Sequence, residues 1–264
     1  MNEVLIPEEA LNYLLDKGLK PAFDYRDVWM SEHSHMFTVA KMMNEDMLAD
    51  VKLAVEAALA EGMSFKEFKD YLKPYLVQQG WWGQVMMDDP LTKETKVVQL
   101  GSNARLKTIY RTNMKTARAA GQWERIERTK ESHPYLLYEL GPSREHRPEH
   151  VKWNGLLLPA DDSFWHTHYP ANGWGCKCRV RQVSQAQAEK LKQSGISARV
   201  QEIDDSTGLP TGRFTNERVD VQTTAPQIKN RKMVNKRTGE VENVPEGIDP
   251  GWNYNPGISR TPFN

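Results

Sequence analysis

The sequence predicts an α+β fold: a mostly helical amino-terminal region (residues 1–100), a small α+β domain (101–197) and an irregular carboxy-terminal arm (198–264). Three observations predict it. In the first half, apolar residues recur every three or four positions, as in Val51, Ala54 and Ala58 or Leu106, Ile109 and Tyr110, the period of a helix with one buried face. Two short runs, Tyr135–Leu140 and Cys178–Val183, read as strands on either side of a Gly- and Pro-rich stretch. Beyond them large aliphatics thin out, and Thr, Pro, Gly and Asn take over.

Composition bounds the function. A chain of 264 residues is enough for one or two domains with a real core. Lys and Arg number 35 and so do Asp and Glu. Overall charge therefore selects no partner, and contact with nucleic acid needs a local patch. No apolar run reaches the length of a membrane span, so no membrane partner is expected. The first residues, MNEVLIPEEALNYLLDKG, lack the basic segment of a secretory signal. Two cysteines spaced C-x-C do not make a secreted disulfide scaffold, which points to a reducing cytoplasm. Neither G-x-x-x-x-G-K-[ST] nor G-x-G-x-x-G occurs, which excludes a nucleotide-driven motor of those types; no small-molecule substrate is expected. The 11 methionines read as adaptable core filling.

In chain order, residues 7–18 are expected to form a short helix, with Pro7 at its first position, Glu8 and Glu9 at its positive end and Gly18 beyond it. Residues 19–26 read as extended around Pro21. A long helix is expected over 27–61, with Met36, Ala40, Met43, Met47, Val51, Ala54 and Ala58 on one face and Gly62 past its end. Ser64 and Glu67 form a capping-box pattern for the next helix, lined by Phe65, Phe68, Leu72 and Leu76, which Pro74 should kink or divide. The resulting helical hairpin is either scaffold or a docking surface for a ring-shaped partner. Residues 80–100 read as a loop whose Trp81 and Trp82 cap the helical core or mark an interface.

A second long helix is expected over 102–131, capped by Ser102 or Asn103 and loosened by Gly121. On it Lys107, Arg111, Lys115, Arg118 and Arg125 fall within about 80° of one another. This basic stripe is either a solvated face or a contact for DNA phosphates or an acidic partner. His133 and Pro134 stop the helix. Pairing of 135–140 with 178–183 would hold the stretch between them as a long internal loop. Ser184 and Gln187 repeat the capping box for a helix ended by Gly195. In the arm, residues 232–235 and 240–244 flank Arg237-Thr238-Gly239 as a hairpin with a glycine turn, and the Pro-rich end packs on the body or on a partner.

The chemistry concentrates in His146–Arg179, which contains His146, His150, His166, His168, Cys176, Cys178, Trp153, Trp165 and Trp174. Irregular backbone of this kind needs rigid anchors, aromatic or metallic. His150, His168, Cys176 and Cys178 make a four-ligand set suited to structural zinc, and C-x-C on a strand turns both sulfurs to one side. The same thiols could instead pack as small hydrophobes or close a local disulfide. The H-x-E and P-C-x-x-C elements of a zinc deaminase are missing, as are the patterns around known cysteine nucleophiles. Asp161, Asp162, His166 and His168 offer a metal-nuclease set, although acid pairs in loops more commonly serve as caps. Arg144, Arg147 and Arg179 either pair with Glu145, Glu149, Asp161 or Asp162, or extend a basic surface.

Several of these residues carry a resemblance. They are His150, Trp153-Asn154-Gly155, Phe164-Trp165, His168-Tyr169-Pro170 and the run Asn172-Gly173-Trp174-Gly175-Cys176-Lys177-Cys178-Arg179. Phe23–Trp29, Phe37–Lys41 and Gly80-Trp81-Trp82-Gly83 add to it, so that it covers most of residues 21–185. In these the chain resembles the phage Mu protein F-like family of minor head, or head-morphogenesis, proteins. The resemblance implies a Mu F-like α+β domain and a minor capsid protein of a Mu-like tailed phage or prophage. It implies a virion location, with the host cytoplasm as the site of assembly. The implied partners are the portal protein, other head proteins and DNA, with no catalysis. The alternative reading is a metal-dependent hydrolase or nuclease centred on the His/Cys motif.

Overall fold

A computed structural model of the chain describes residues 8–143 and 145–260. Pro7 and Arg144 lie outside the described residues. The chain divides into two compact units. The first takes the chain up to Gln122, with Asn235–Glu240 and the residues from Pro256 on; the second takes Trp123–Val234 and Val241–Asn255.

The first unit begins with α1 (Glu8–Leu15) and β1 (Gly18–Leu19). The long helix expected over 27–61 is not formed as such. The segment holds a 3-10 turn at Tyr25–Asp27, then α2 (Glu32–His35), β2 (Met36–Phe37) and α3 (Glu45–Ala60). The backbone explains the break. Met30 and Lys41 take φ of 48° and 68°, which no helix accepts. Residues 36–42 instead pair with the preceding segment, Gly18 with Met36, Leu19 with Phe37, and Ala22 with both Ala40 and Met42. The Asn44 side chain then accepts from the Met47 amide at 2.8 Å and starts α3. Helix α4 (Phe65–Gln78) opens on the expected Ser64/Glu67 capping box and runs through Pro74 without a break.

Residues 84–99 are not a loop: β3 (Gln84–Asp88) and β4 (Thr95–Gln99) form an antiparallel hairpin. Trp81 is buried and donates from Nε1 to the Lys41 carbonyl at 3.0 Å, so it caps the core. Helix α5 (Asn103–Thr129) is capped by Ser102, whose Oγ accepts from the Arg105 amide. Gly121 does not loosen it. The glycine is buried where α1 crosses, and a Cβ there would sit 2.7 Å from the Ala10 nitrogen. The core of this unit joins Tyr13 and Leu14 of α1, Val51 and Leu59 of α3, Phe68 and Leu72 of α4, and Leu106 and Ala117 of α5.

The second unit is built on β5 (Tyr135–Glu139), α6 (Pro148–Trp153), β6 (Leu157–Pro159), α7 (Phe164–His168) and β7 (Arg179–Val183). The expected pair forms in full register, from Tyr135 opposite Val183 to Glu139 opposite Arg179, and β6 adds a third antiparallel strand, in the order β6-β5-β7. Helix α8 (Gln185–Ser194) has the expected capping box and ends at Gly195, at φ 69°. The arm is more regular than its composition suggested. It holds a long hairpin of β8 (Ile196–Ile203) and β9 (Pro210–Val219), and the expected hairpin of β10 (Asn230–Val234) and β11 (Val241–Pro245). Ile196 and Ala198 join Leu137, Leu157, Val183 and Ala188 in one core cluster, so β8 is part of the domain body. Among the described residues no helix is long and apolar enough to cross a membrane.

Candidate functional site

The stretch from His146 to Arg179 contains α6, β6 and α7 and leads into β7 of the three-stranded sheet. Pro148 starts α6, whose single register of side chains buries His150 and Trp153 together. The two rings stack at 4.9 Å with 24° between planes. His150 is 2% exposed, and its Nε2 donates to the carbonyl of Gly247 at 2.8 Å. A carbonyl can only accept, so Nε2 carries the proton and Nδ1 faces the other way. There it meets Cys178 Sγ at 3.5 Å and Cys176 Sγ at 4.0 Å. Among the described residues, His150, Cys176 and Cys178 form the one group of three or more His, Cys, Asp or Glu ligand atoms lying within 4.8 Å of one another.

The two thiols are tied to each other. A hydrogen bond from Cys178 is the largest influence on Cys176 and holds its thiol well below the ordinary value, against burial, with His150 adding to the effect. The same bond, with burial, pushes Cys178 up. Cys176 is therefore the more acidic of the pair.

His168, the fourth ligand of the expected set, is placed elsewhere. Its ring stacks on Phe164 at 4.2 Å and meets Trp153 edge-on at 5.0 Å, while Nδ1 faces Thr167 Oγ1 at 2.8 Å. Burial lowers its pKa to about 4. It belongs to an aromatic core with Trp153, Phe164 and Trp165. The nuclease set is not gathered either. Asp162 accepts from the Phe164 amide at 2.8 Å as a turn cap, and Asp161 and His166 are exposed. His146 turns to the Gly141 carbonyl at 2.8 Å.

Residues of the arm complete the site; the sequence marked its Pro-rich end, with Trp252, as packing on the body or on a partner, but not Gly247, Asp249 or Asn255 as groups that reach the motif. Asp249 accepts from Arg147 Nη2 at 2.7 Å and from the Trp174 amide at 2.9 Å. Its own amide donates to the Asn172 carbonyl at 3.0 Å. Trp252 meets Trp174 edge-on at 5.1 Å, and buried Asn255 donates to the Trp165 carbonyl at 3.2 Å. Gly247 has φ 86°, and a Cβ there would lie 2.8 Å from the Trp153 ring, so glycine is required at this approach. The only signal was the turn chemistry of Gly247-Ile248-Asp249-Pro250-Gly251, which says where the chain bends and not what it meets. Arg179 pairs with Glu139 at 3.0 Å, not with the acids of the motif.

The basic stripe lies on α5 as expected. Lys107, Arg111 and Arg118 are exposed, and Lys115 and Arg125 are half-buried.

The phage Mu protein F like protein family matches residues 49–181, a span that runs from within α3 to the start of β7 and contains the whole His/Cys cluster. The chain belongs to the phage Mu protein F-like family. Putative capsid assembly protein F of Escherichia phage Mu is 34% identical over 260 residues, 96% of this chain and 54% of that protein. The Mu-like prophage FluMu F protein of Haemophilus influenzae is 33% identical over 229 residues, 86% of this chain and 50% of that one. The chain thus spans about half the length of the curated relatives it matches. No solved structure matches it. The family match runs continuously across both compact units, so the Mu F-like character of this chain is not confined to the motif.

Proposed function

We propose that the chain is a minor capsid component that acts in head assembly of a Mu-like phage or prophage, without catalytic turnover. The observation that carries this reading is a similarity that covers 96% of this chain and 54% of a protein named for capsid assembly. The finer reading places the protein in the virion beside the portal, with portal and other head proteins as partners and DNA within reach. Two surfaces of the first unit support it. The α3–α4 pair exposes large apolar side chains, Leu53 on α3 and Tyr71 and Val77 on α4, as a protein-docking surface does. The exposed Lys107, Arg111 and Arg118 on α5 suit phosphates or an acidic protein face. A hydrolase built on the four-residue His/Cys set is disfavoured by the position of His168 in the aromatic core.

One experiment tests both surfaces. The chain is co-expressed with the head proteins of its phage, and assembled particles are analysed for its presence. We expect co-purification with particles, lost on Leu53→Asp with Tyr71→Asp. Arg111→Glu with Arg118→Glu should weaken salt-sensitive DNA retention by at least about tenfold. Particles of normal composition with the first variant would reject α3–α4 docking, and unchanged retention with the second would reject the DNA contact.

A further inference from the structure

We propose that His150, Cys176 and Cys178 bind one thiophilic divalent ion of the zinc class. We further infer that the bound ion fixes the arm segment 246–255 against the motif. The proposal goes beyond the assembly reading and does not depend on it.

The geometry suits the ion. Zinc–thiolate and zinc–imidazole bonds of about 2.3 and 2.0–2.1 Å, at a tetrahedral angle, put sulfur and nitrogen about 3.6 Å apart. The observed separations from His150 Nδ1 are 3.5 and 4.0 Å. Two sulfurs and one imidazole form a soft donor set that selects zinc-like ions over magnesium or calcium.

The surroundings are those of a ligand site. Metal-bound histidines commonly donate their other ring N–H to a carbonyl or carboxylate, which orients the ring. His150 does this through Gly247, and stacking on Trp153 fixes the ring plane. Gly141 is pressed so closely against the Lys177 carbonyl that any Cβ would collide with it. The Lys177 backbone of the C-x-C segment is thus packed directly against Gly141. The loop 169–178 has no regular secondary structure, and a metal is one way to give such backbone a single conformation.

The arm enters through its own contacts. The carbonyl that orients His150 belongs to Gly247, two residues before the Asp249 that holds Arg147 and the Trp174 amide. An ion on Nδ1 strengthens donation from Nε2, so occupancy is felt at residue 247 first.

The test uses the full chain, purified under reducing conditions. Elemental analysis after dialysis against zinc should give one ion per chain. Cobalt in its place should show the thiolate-to-cobalt charge-transfer absorption of a tetrahedral site. Competition with a chromophoric chelator should show zinc affinity falling at least about tenfold in Cys176→Ser and His150→Gln, and unchanged in His168→Gln. Because Cys176 is half-buried, its serine variant tests ligation with the least effect on packing. Hydrogen exchange in 246–255 should slow on zinc addition to the native chain and not to Cys176→Ser.

A chain with two titratable thiols and no bound zinc would overturn the site, as would an intact mass two hydrogens lighter, which marks a Cys176–Cys178 disulfide. Zinc lost from a folded His168→Gln would overturn the three-ligand set. Zinc bound with no change of exchange in 246–255 would overturn the coupling to the arm.

Discussion

Arg237 lies in the turn of the β10–β11 hairpin, yet its guanidinium reaches two carboxylates far away in sequence. It bridges Asp27, through Nε and Nη2, and Asp89, through Nη1 at 2.7 Å. Asp89 is 0% exposed and also meets Lys96 at 3.0 Å. Removing one partner of a buried ion pair costs about 3–5 kcal/mol, because the other charge stays buried and uncompensated. Lys96 remains in the variant, so for Arg237→Met we expect the lower end, about 3 kcal/mol, read as the shift in a urea unfolding curve at pH 7. The pH dependence follows from Asp89, whose carboxyl is held well below the usual carboxylate range, first by Arg237 and then, against burial, by Lys96 and local amides. Between the folded and unfolded values the unfolded chain binds the extra proton, so stability rises with pH in that window. The contribution is fully present above about pH 4 and is lost as pH falls towards the folded value. The gap between native and variant should therefore narrow below about pH 4; an equal gap at pH 7 and pH 2.5 would show that Asp89 is not the group held. The turn at Arg237 was legible from Arg-Thr-Gly in the sequence. Its acceptors were not, because nothing local to residue 237 encodes residues 27 and 89.

At the scale of elements, α4 gives the sharpest expectation. Pro74 is exposed inside a helix that continues on both sides of it. Proline there supplies no N–H to the carbonyl one turn back and disfavours an interior helix by about 3 kcal/mol relative to alanine. Part of that is offset by about 0.4–1 kcal/mol through the stiffer unfolded chain. Pro74→Ala should then stabilise the protein by about 2 kcal/mol in thermal or urea unfolding, and an unchanged or lower midpoint would show that the ring does other work in α4. The same element shows what sequence reveals and what it hides. Caps are local chemistry, so Ser64, Ser102 and Ser184 could be read directly, as could the glycines at 62 and 195. Strands β5 and β7 were legible because apolar and alternating runs stand out from their neighbours. The helix expected over 27–61 was not what forms, because its apolar spacing at Met36 and Ala40 also suits the parallel pairing with Gly18–Ala22. Hairpin β3–β4 escaped because Met86 and Met87 are weak strand formers and its turn places Lys93, not glycine, at φ 61°.

At the scale of the whole molecule, the arm does not stay with one unit. Residues 235–240 belong to the first unit and 241–255 to the second, so one polar segment serves two cores. This is why the site was only partly legible. His150, Cys176 and Cys178 lie within 30 residues of one another and share a motif. Gly247, Asp249 and Asn255 come from a segment whose composition reads as irregular. A test follows from how Asp249 is used. Its carboxylate is the acceptor for Arg147 and for the Trp174 amide, so Asp249→Ala leaves both donors without that partner. The variant should lose about 1 kcal/mol, the usual net worth of such hydrogen bonds where water can reach the donors. The loss should be local. Hydrogen exchange should quicken in 172–178 and 246–255, and stay unchanged in α3 and α4, whose core lies wholly in the first unit. Faster exchange in α3 and α4 to the same degree would mean that the arm secures the entire chain. Unchanged exchange in 172–178 would mean that the aromatic core alone orders the motif, with Trp153, Phe164 and Trp165 sufficient to hold it.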